Sequence, residues 1–165
     1  MYAQLELEIY IPKGKNALIK IHNQLVFKLN EQDINNFSDE RIEIKTNFFE
    51  LLKQKNIHFK VLDSPRKMFV QGLQQRHCIA SYVREMLHYL FVTIQYKGID
   101  YDIQIDKKET NIVQFKGIYN IEVPQNLREE IDSLVTKITH IEIEDPKSTL
   151  EYEIPTELYR DDLPF

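Results

Sequence analysis

A single cysteine, four glycines and no long apolar run set the first limits on this 165-residue chain. One cysteine rules out an internal disulfide and points to a reducing compartment. Four glycines leave no glycine-rich phosphate loop. There is no Cys-x₂-Cys pair, and His22, His58, His77, His88 and His140 fall without ligand spacing, so neither a metal nor a cofactor is expected. No apolar stretch reaches the ~20 residues that span a bilayer, and the opening residues have neither a basic n-region nor an apolar h-region. The expectation is a cytoplasmic protein with no membrane partner.

What is present fits a folded domain: 42% hydrophobic and 28% charged residues, in a chain long enough to bury a core. The net charge of −5 is unevenly placed. Residues 141–165 hold eight acids and two bases, whereas residues 1–140 hold 18 acids and 19 bases. A near-neutral body with an acidic end lacks the basic face of a dedicated nucleic-acid binder, although local Lys/Arg clusters leave weaker binding open.

Leu5, Leu7, Ile9 and Ile11 alternate with polar residues as in a half-buried strand, and Pro12-Lys13-Gly14 marks a turn. Ala17–Ile21 and Leu25–Leu29 read as a further hairpin, and residues 30–41 as polar loop. Phe48, Phe49, Leu51 and Leu52 predict a helix over Thr46 to Lys55, followed by a short strand at His58–Leu62. Ser64-Pro65 opens a helix, serine as N-cap and proline at the first helical position. Its pattern runs to about His88, with Phe69, Leu73, Tyr82, Val83, Met86 and Leu87 as expected buried members and Gly72 as the expected break.

Leu90, Val92, Ile94 and Tyr96 alternate strictly, as do Ile99, Tyr101, Ile103 and Ile105 after Lys97-Gly98. A two-residue loop pairs Tyr96 with Ile99 and Val92 with Ile103. The return over Ile112–Lys116 then sets Ile103 against Phe115, Ile105 against Val113, Asp102 against Lys116 and Gln104 against Gln114. Pro124 opens a last helix with the stripe Leu127, Ile131, Leu134, Ile138 and Ile141. The chain therefore reads as α+β: an N-terminal β-rich segment, a helix, a three-stranded antiparallel β-meander and a C-terminal helix. Its parts are 1–63, a helix–meander–helix core at 64–143 and an acidic extension at 144–165, most simply within one compact domain. Leu150, Tyr152, Ile154, Leu158, Tyr159 and Phe165 give the extension apolar residues with which to pack on the domain or a partner.

Candidate chemistry concentrates in two groups. Gly72–Tyr82 contains His77 beside Cys78, with Tyr82 four residues on; a thiolate can be activated by a nearby imidazole. Adjacent helical positions project about 100° apart, so His77 is badly placed as a base for Cys78, while Cys78 and Tyr82 share a face. The structural alternative is that Cys78 is a small buried hydrophobe. Asp100, Asp102 and Asp106 could supply paired carboxylates but read more simply as a solvated strand face. The second group, Gln-x₂-Gly-x₂-Asn, places Gln114 beside Gln104, Asp102 and Lys116, with Gly117 at a strand end that needs either φ > 0 or a close approach. Asn120 sits in a turn suited to side-chain-to-backbone hydrogen bonds. Gln104, Gln114, Lys116, Gly117 and Asn120 are thus binding candidates, either as a turn fixed by its own amides or as a polar pocket for a base, amide or phosphate.

Gly72, His77, Cys78, Ile79 and Tyr82, followed by a meander and then Gln114, Gly117 and Asn120, resemble the PcfJ-like family over about residues 68–140. The departures are Gln104, where the family carries an acid, and the absence of a glycine between Tyr82 and Leu90. The resemblance implies a mobile-element protein of plasmid or phage. The leading expectation is a non-enzymatic accessory protein that binds nucleic acid or a host- or element-encoded protein. One alternative is a hydrolase or nuclease joining His77, Cys78 and Tyr82 to Gln114 and Asn120. Another is an inhibitor whose acidic end mimics nucleic-acid charge.

Overall fold

The alternation that begins at Tyr89 builds the centre of the molecule. In the computed structural model, which describes Gly14, Ala17, Leu18, Ile21 and residues 34–75 and 78–147, with side chains at 78–81 excepted, β3 (Tyr89–Tyr96), β4 (Ile99–Asp106) and β5 (Ile112–Gly117) form the expected meander. Lys97 and Gly98 both take positive φ, 50° and 76°, the two-residue turn whose twist matches the flanking strands. Tyr96 faces Ile99 and Val92 faces Ile103. Ile103 faces Phe115, Asp102 faces Lys116 and Gln104 faces Gln114, as read from the sequence. The exception is Ile105, which meets Ile112 instead of Val113 because the ladder shifts between Gln104 and Ile105. That irregularity absorbs one residue of the loop, where Asp106 Oδ1 accepts the Lys108 and Glu109 N–H groups at 2.7 and 2.8 Å, and leaves Val113 exposed.

A fourth strand, β2 (His58–Val61), adds to the free edge of β3, giving the order β2-β3-β4-β5. One face of the sheet carries Phe59, Val92, Ile94, Ile103 and Phe115. Helix α1 (Phe48–Gln54) covers it through Phe49 stacked on Phe59 at 5.5 Å, and α3 (Gln125–Val135) through Arg128 over the Phe115 ring at 5.9 Å. Phe48, Leu52, Leu127, Ile131 and Leu134 complete the core there. The opposite face is also covered. Helix α2 (Pro65–Gln75) and a 3₁₀ helix over Cys78–Glu85 lie on it, with Tyr82 stacked 6.2 Å from Phe91. The solvated strand face read for Asp102 is therefore wrong: Asp102 and Gln104 are buried. Polar residues two apart on a strand mark a face that avoids the apolar core, but a helix bringing its own polar side chains can cover such a face.

Helix α2 opens as read, with Ser64 Oγ accepting the Lys67 N–H at 3.3 Å. It passes through buried Gly72 and ends at Gln75, so the break comes after the glycine and not at it. Its buried face is Met68, Gln71, Gly72 and Gln75, while Phe69 and Leu73 are only half-buried. Val83 and Met86 are buried as expected.

Two short strands escape local reading. β1 (Glu43–Thr46) and β6 (Ile141–Glu144) pair antiparallel, Ile44 against Ile143. The last helix accordingly stops at Val135, and Ile141 belongs to a strand; β-branched Val135, Thr136, Ile138, Thr139 and Ile141 favour extended backbone. The supposed loop at 30–41 contains a helical turn at Ile34, which is buried with Phe37. Of the hairpin expected at Ala17–Ile21, the described Ala17, Leu18 and Ile21 are helical, with a Leu18 N–H bond to the Gly14 carbonyl at 3.2 Å. Their one- and four-residue spacing is a helical one, and alanine and leucine favour it. The strand expected at 2–11, the run at Leu25–Leu29 and the extension beyond Lys147 lie outside the described residues. The α+β class holds. Among the described residues, no helix is long and apolar enough to cross a membrane.

Candidate functional site

Antiparallel register places four residues in a line across the sheet under α2: Lys60, Thr93, Asp102 and Lys116, one from each strand. Asp102 is the centre of a buried cluster. Its Oδ1 accepts the Thr93 hydroxyl at 2.6 Å and the Gln71 side-chain amide at 3.0 Å. All three are nearly sealed from solvent, Asp102 4%, Gln71 3% and Thr93 0% exposed. A carboxyl group so placed is tolerated only because donors face it, and hydrogen bonds to a charged acceptor contribute about 1.5–3 kcal/mol each. The cluster pins α2 to the sheet.

Beside it, Asp102, Gln104, Gln114, Lys116 and Asn120 surround a cavity of about 10 Å³ over the Phe91 ring. Four of the five binding residues read from the sequence are thus together. The space is about that of one water. Lys116 reaches outward and bonds Glu122, holding that carboxyl below its ordinary range, chiefly through the hydrogen bond and then through charge. Gly117 lies just below, opposite Tyr101. Its φ is −96°, so positive φ is not what the position needs. The close approach is: a Cβ there would stand 3.0 Å from two atoms of the Tyr101 ring. Burial in turn pushes the Tyr101 phenol above its ordinary range. Tyr119 and Asn120 both sit in the left-handed region, at φ 54° and 58°, a strained pair for residues with side chains. The Asn120 amide makes no hydrogen bond among the described residues, contrary to the side-chain-to-backbone bonding expected of it in this turn.

His77 and the Cys78 side chain lie outside the described residues. The backbone over Cys78–Glu85 is 3₁₀, with about three residues per turn, so positions 78 and 82 do not share a face as they would in an α-helix. Asp100 pairs with Lys60 at 2.8 Å, and Asp106 is used in its loop. The three aspartates therefore do not form a paired-carboxylate site. Among the described residues, no group of three or more His, Cys, Asp or Glu could hold a metal ion.

Sequence reading missed the other flank of α2. There a groove of about 500 Å³ runs between the helix and edge strand β2. Lys60, Arg66 and Lys67 line it with Asp39, above Val61, Val70, Gln71 and Gln74. Lys67 pairs with Asp63 at 2.6 Å, while Arg66 gives its Nε to the Phe37 carbonyl at 3.1 Å and stands 3.9 Å from Asp39. Gln71 belongs to both places: it lines the groove and holds Asp102. One signal was available in the sequence. Arg66 and Lys67 occupy the first turn of α2, which has no acid, against the preference of a helix N-terminus for negative charge.

A family model described as PcfJ-like protein matches residues 1–135. No curated protein and no solved structure matches the chain. The match takes in the meander and both residue groups of the resemblance, and extends it from residue 68 back to the first residue. With 135 of 165 residues matched, the chain belongs to the PcfJ-like protein family.

Proposed function

We propose that this PcfJ-like protein is an accessory binding protein of a mobile genetic element, holding a partner in the groove between α2 and β2. The observation that carries the reading is the contrast between the two sides of α2. The polar cluster leaves about 10 Å³, whereas the groove leaves about 500 Å³, within the range of sites that take small ligands or short segments. The mobile-element setting follows from what the resemblance implies. The buried cluster acts as a scaffold for the groove, since Gln71 is fixed from below by Asp102.

Purified protein screened against single- and double-stranded DNA, RNA and host proteins tests this, with backbone amide shifts followed by NMR. The expected result is a partner that perturbs the amides of 60–62 and 66–74. Perturbation confined to another surface, or metal-dependent cleavage of the nucleic acid in the same samples, sinks the reading.

A hydrolase or nuclease reading has one observation in its favour, the gathering of Asp102, Gln104, Gln114, Lys116 and Asn120 around one cavity. It requires that Asp102→Asn abolish a cleavage activity that wild-type protein displays; cleavage unchanged in that variant removes it.

A further inference from the structure

We propose that the acidic extension of this chain fills the groove in cis: residues 150–154 add antiparallel to the free edge of β2, and a partner must displace them. The displacement rests on the groove as the binding site; the docking does not. Strand β2 ends the four-stranded sheet. The Leu62 N–H bonds the Phe91 carbonyl at 3.0 Å. Alternate residues of an antiparallel ladder turn their peptide groups to alternate sides, so Lys60 also faces β3, and Phe59 and Val61 face outward. Among the described residues, nothing bonds the Phe59 or Val61 backbone on that side. An unpaired edge of this kind is a template for another strand.

The groove is electrically closed. Lys60 pairs with Asp100 and Lys67 with Asp63, and Arg66 stands beside Asp39. An occupant is therefore held by backbone pairing and apolar contact, and Val61, Leu62 and Val70 supply the apolar lining. Residues 38–42 close one end: the Ile42 N–H bonds the Asp63 carbonyl and the Arg66 N–H the Ser38 carbonyl, both at 2.9 Å.

The extension starts at that end. After β6 the chain turns at Pro146-Lys147, and Lys147 Nζ stands 3.4 Å from Glu40 Oε1, next in sequence to groove-lining Asp39. Residues 148–165 follow, and in them Leu150, Tyr152 and Ile154 alternate with Glu151 and Glu153 until Pro155. That is the period of a strand with one apolar side, and the pattern with which Ile141-Glu142-Ile143-Glu144 forms β6. Leu150 to Ile154 covers about 13 Å when extended, close to the roughly 12 Å of helix from Arg66 to Gln74. Because β2 runs towards Asp63, a chain entering there runs antiparallel to it. The three apolar side chains then meet Val61, Leu62 and Val70, and the glutamates face water. The family match ends at residue 135, so this strand would be an addition to the matched part of the chain.

Hydrogen exchange of the full chain, read by NMR, tests the docking. The Phe59 and Val61 amides are protected in the wild type. Tyr152→Asp speeds their exchange about tenfold or more, shifts the amides of 66–74 and leaves β3 to β5 unchanged. A synthetic peptide of residues 148–157 restores the protection, and Glu151→Gln and Glu153→Gln retain it. Equal Phe59 and Val61 exchange in wild type and Tyr152→Asp overturns the docking. A partner of the groove binds Tyr152→Asp about tenfold or more tighter, as for a site open in a tenth of the molecules. Equal affinity overturns the displacement and leaves the docking and the groove in place. A groove partner found while exchange ignores Tyr152→Asp overturns the cis strand alone. Protection lost in Tyr152→Asp, with every partner leaving the groove amides silent, overturns the groove as a partner site but not the docking.

Discussion

At the scale of the residue, Gly117 and Tyr101 form a matched pair in which each limits the other. The ring occupies the volume that a Cβ at 117 would need and packs edge-on against Phe115 at 6.5 Å. Gly117→Ala is expected to lower stability by about 1–3 kcal/mol, read as a lower urea midpoint with unchanged slope. The same burial raises the Tyr101 phenol pKa above its ordinary 10.0. Between the unfolded and the folded pKa the unfolded chain has lost the proton and the folded one has kept it, so stability falls as pH rises through that window. Unfolding followed from pH 9 to 11 should therefore show an alkaline decline that Tyr101→Phe makes shallower; an identical slope in the variant contradicts the assignment.

At the scale of the element, helix α2 is held at its start by Ser64 and at its middle by Asp102. Ser64→Ala is expected to cost about 1 kcal/mol. Asp102→Ala leaves the buried Thr93 hydroxyl and Gln71 amide without their acceptor, at about 1–3 kcal/mol for each, and should also raise hydrogen exchange along α2 relative to α3. Equal exchange in both helices would deny Asp102 its role as anchor. Much of this element was legible. Ser64-Pro65 announced its start, and the alternation from Leu90 to Ile105, with only Lys97-Gly98 between its halves, forced the register that gathers Gln104, Gln114 and Lys116. The buried face of α2 was not legible. Gln71 and Gln75 are absent from the expected buried set because helix periodicity ranks residues by hydropathy, and nothing local reveals that the sheet beneath carries Thr93 and Asp102. The ribbon of β1 and β6 was hidden for another reason: each is four residues long, and Glu43 finds Glu144 about a hundred residues away.

For the whole molecule, that ribbon ties the middle of the chain to its far end. Asn47 reinforces it, giving its amide to the Lys137 carbonyl at 3.0 Å and accepting the Thr139 N–H at 2.9 Å. Ile143→Asp buries a charge opposite Ile44 and should lower stability by several kcal/mol, with loss of protection in β1 as well as β6; loss in β6 alone would mean that the ribbon is not cooperative. The line of Lys60, Thr93, Asp102 and Lys116 has a consequence for how such a chain finds its way home. Because strand side chains alternate, a one-residue slip of β2 would offer Phe59 to Thr93, and a slip of β4 would offer Tyr101 or Ile103. The slip of β4 deprives the buried Thr93 hydroxyl and Gln71 amide of their Asp102 acceptor, a fault that apolar repacking cannot hide. The row thus serves as a proofreading device for strand pairing, rejecting near-misses that hydrophobic burial alone would accept.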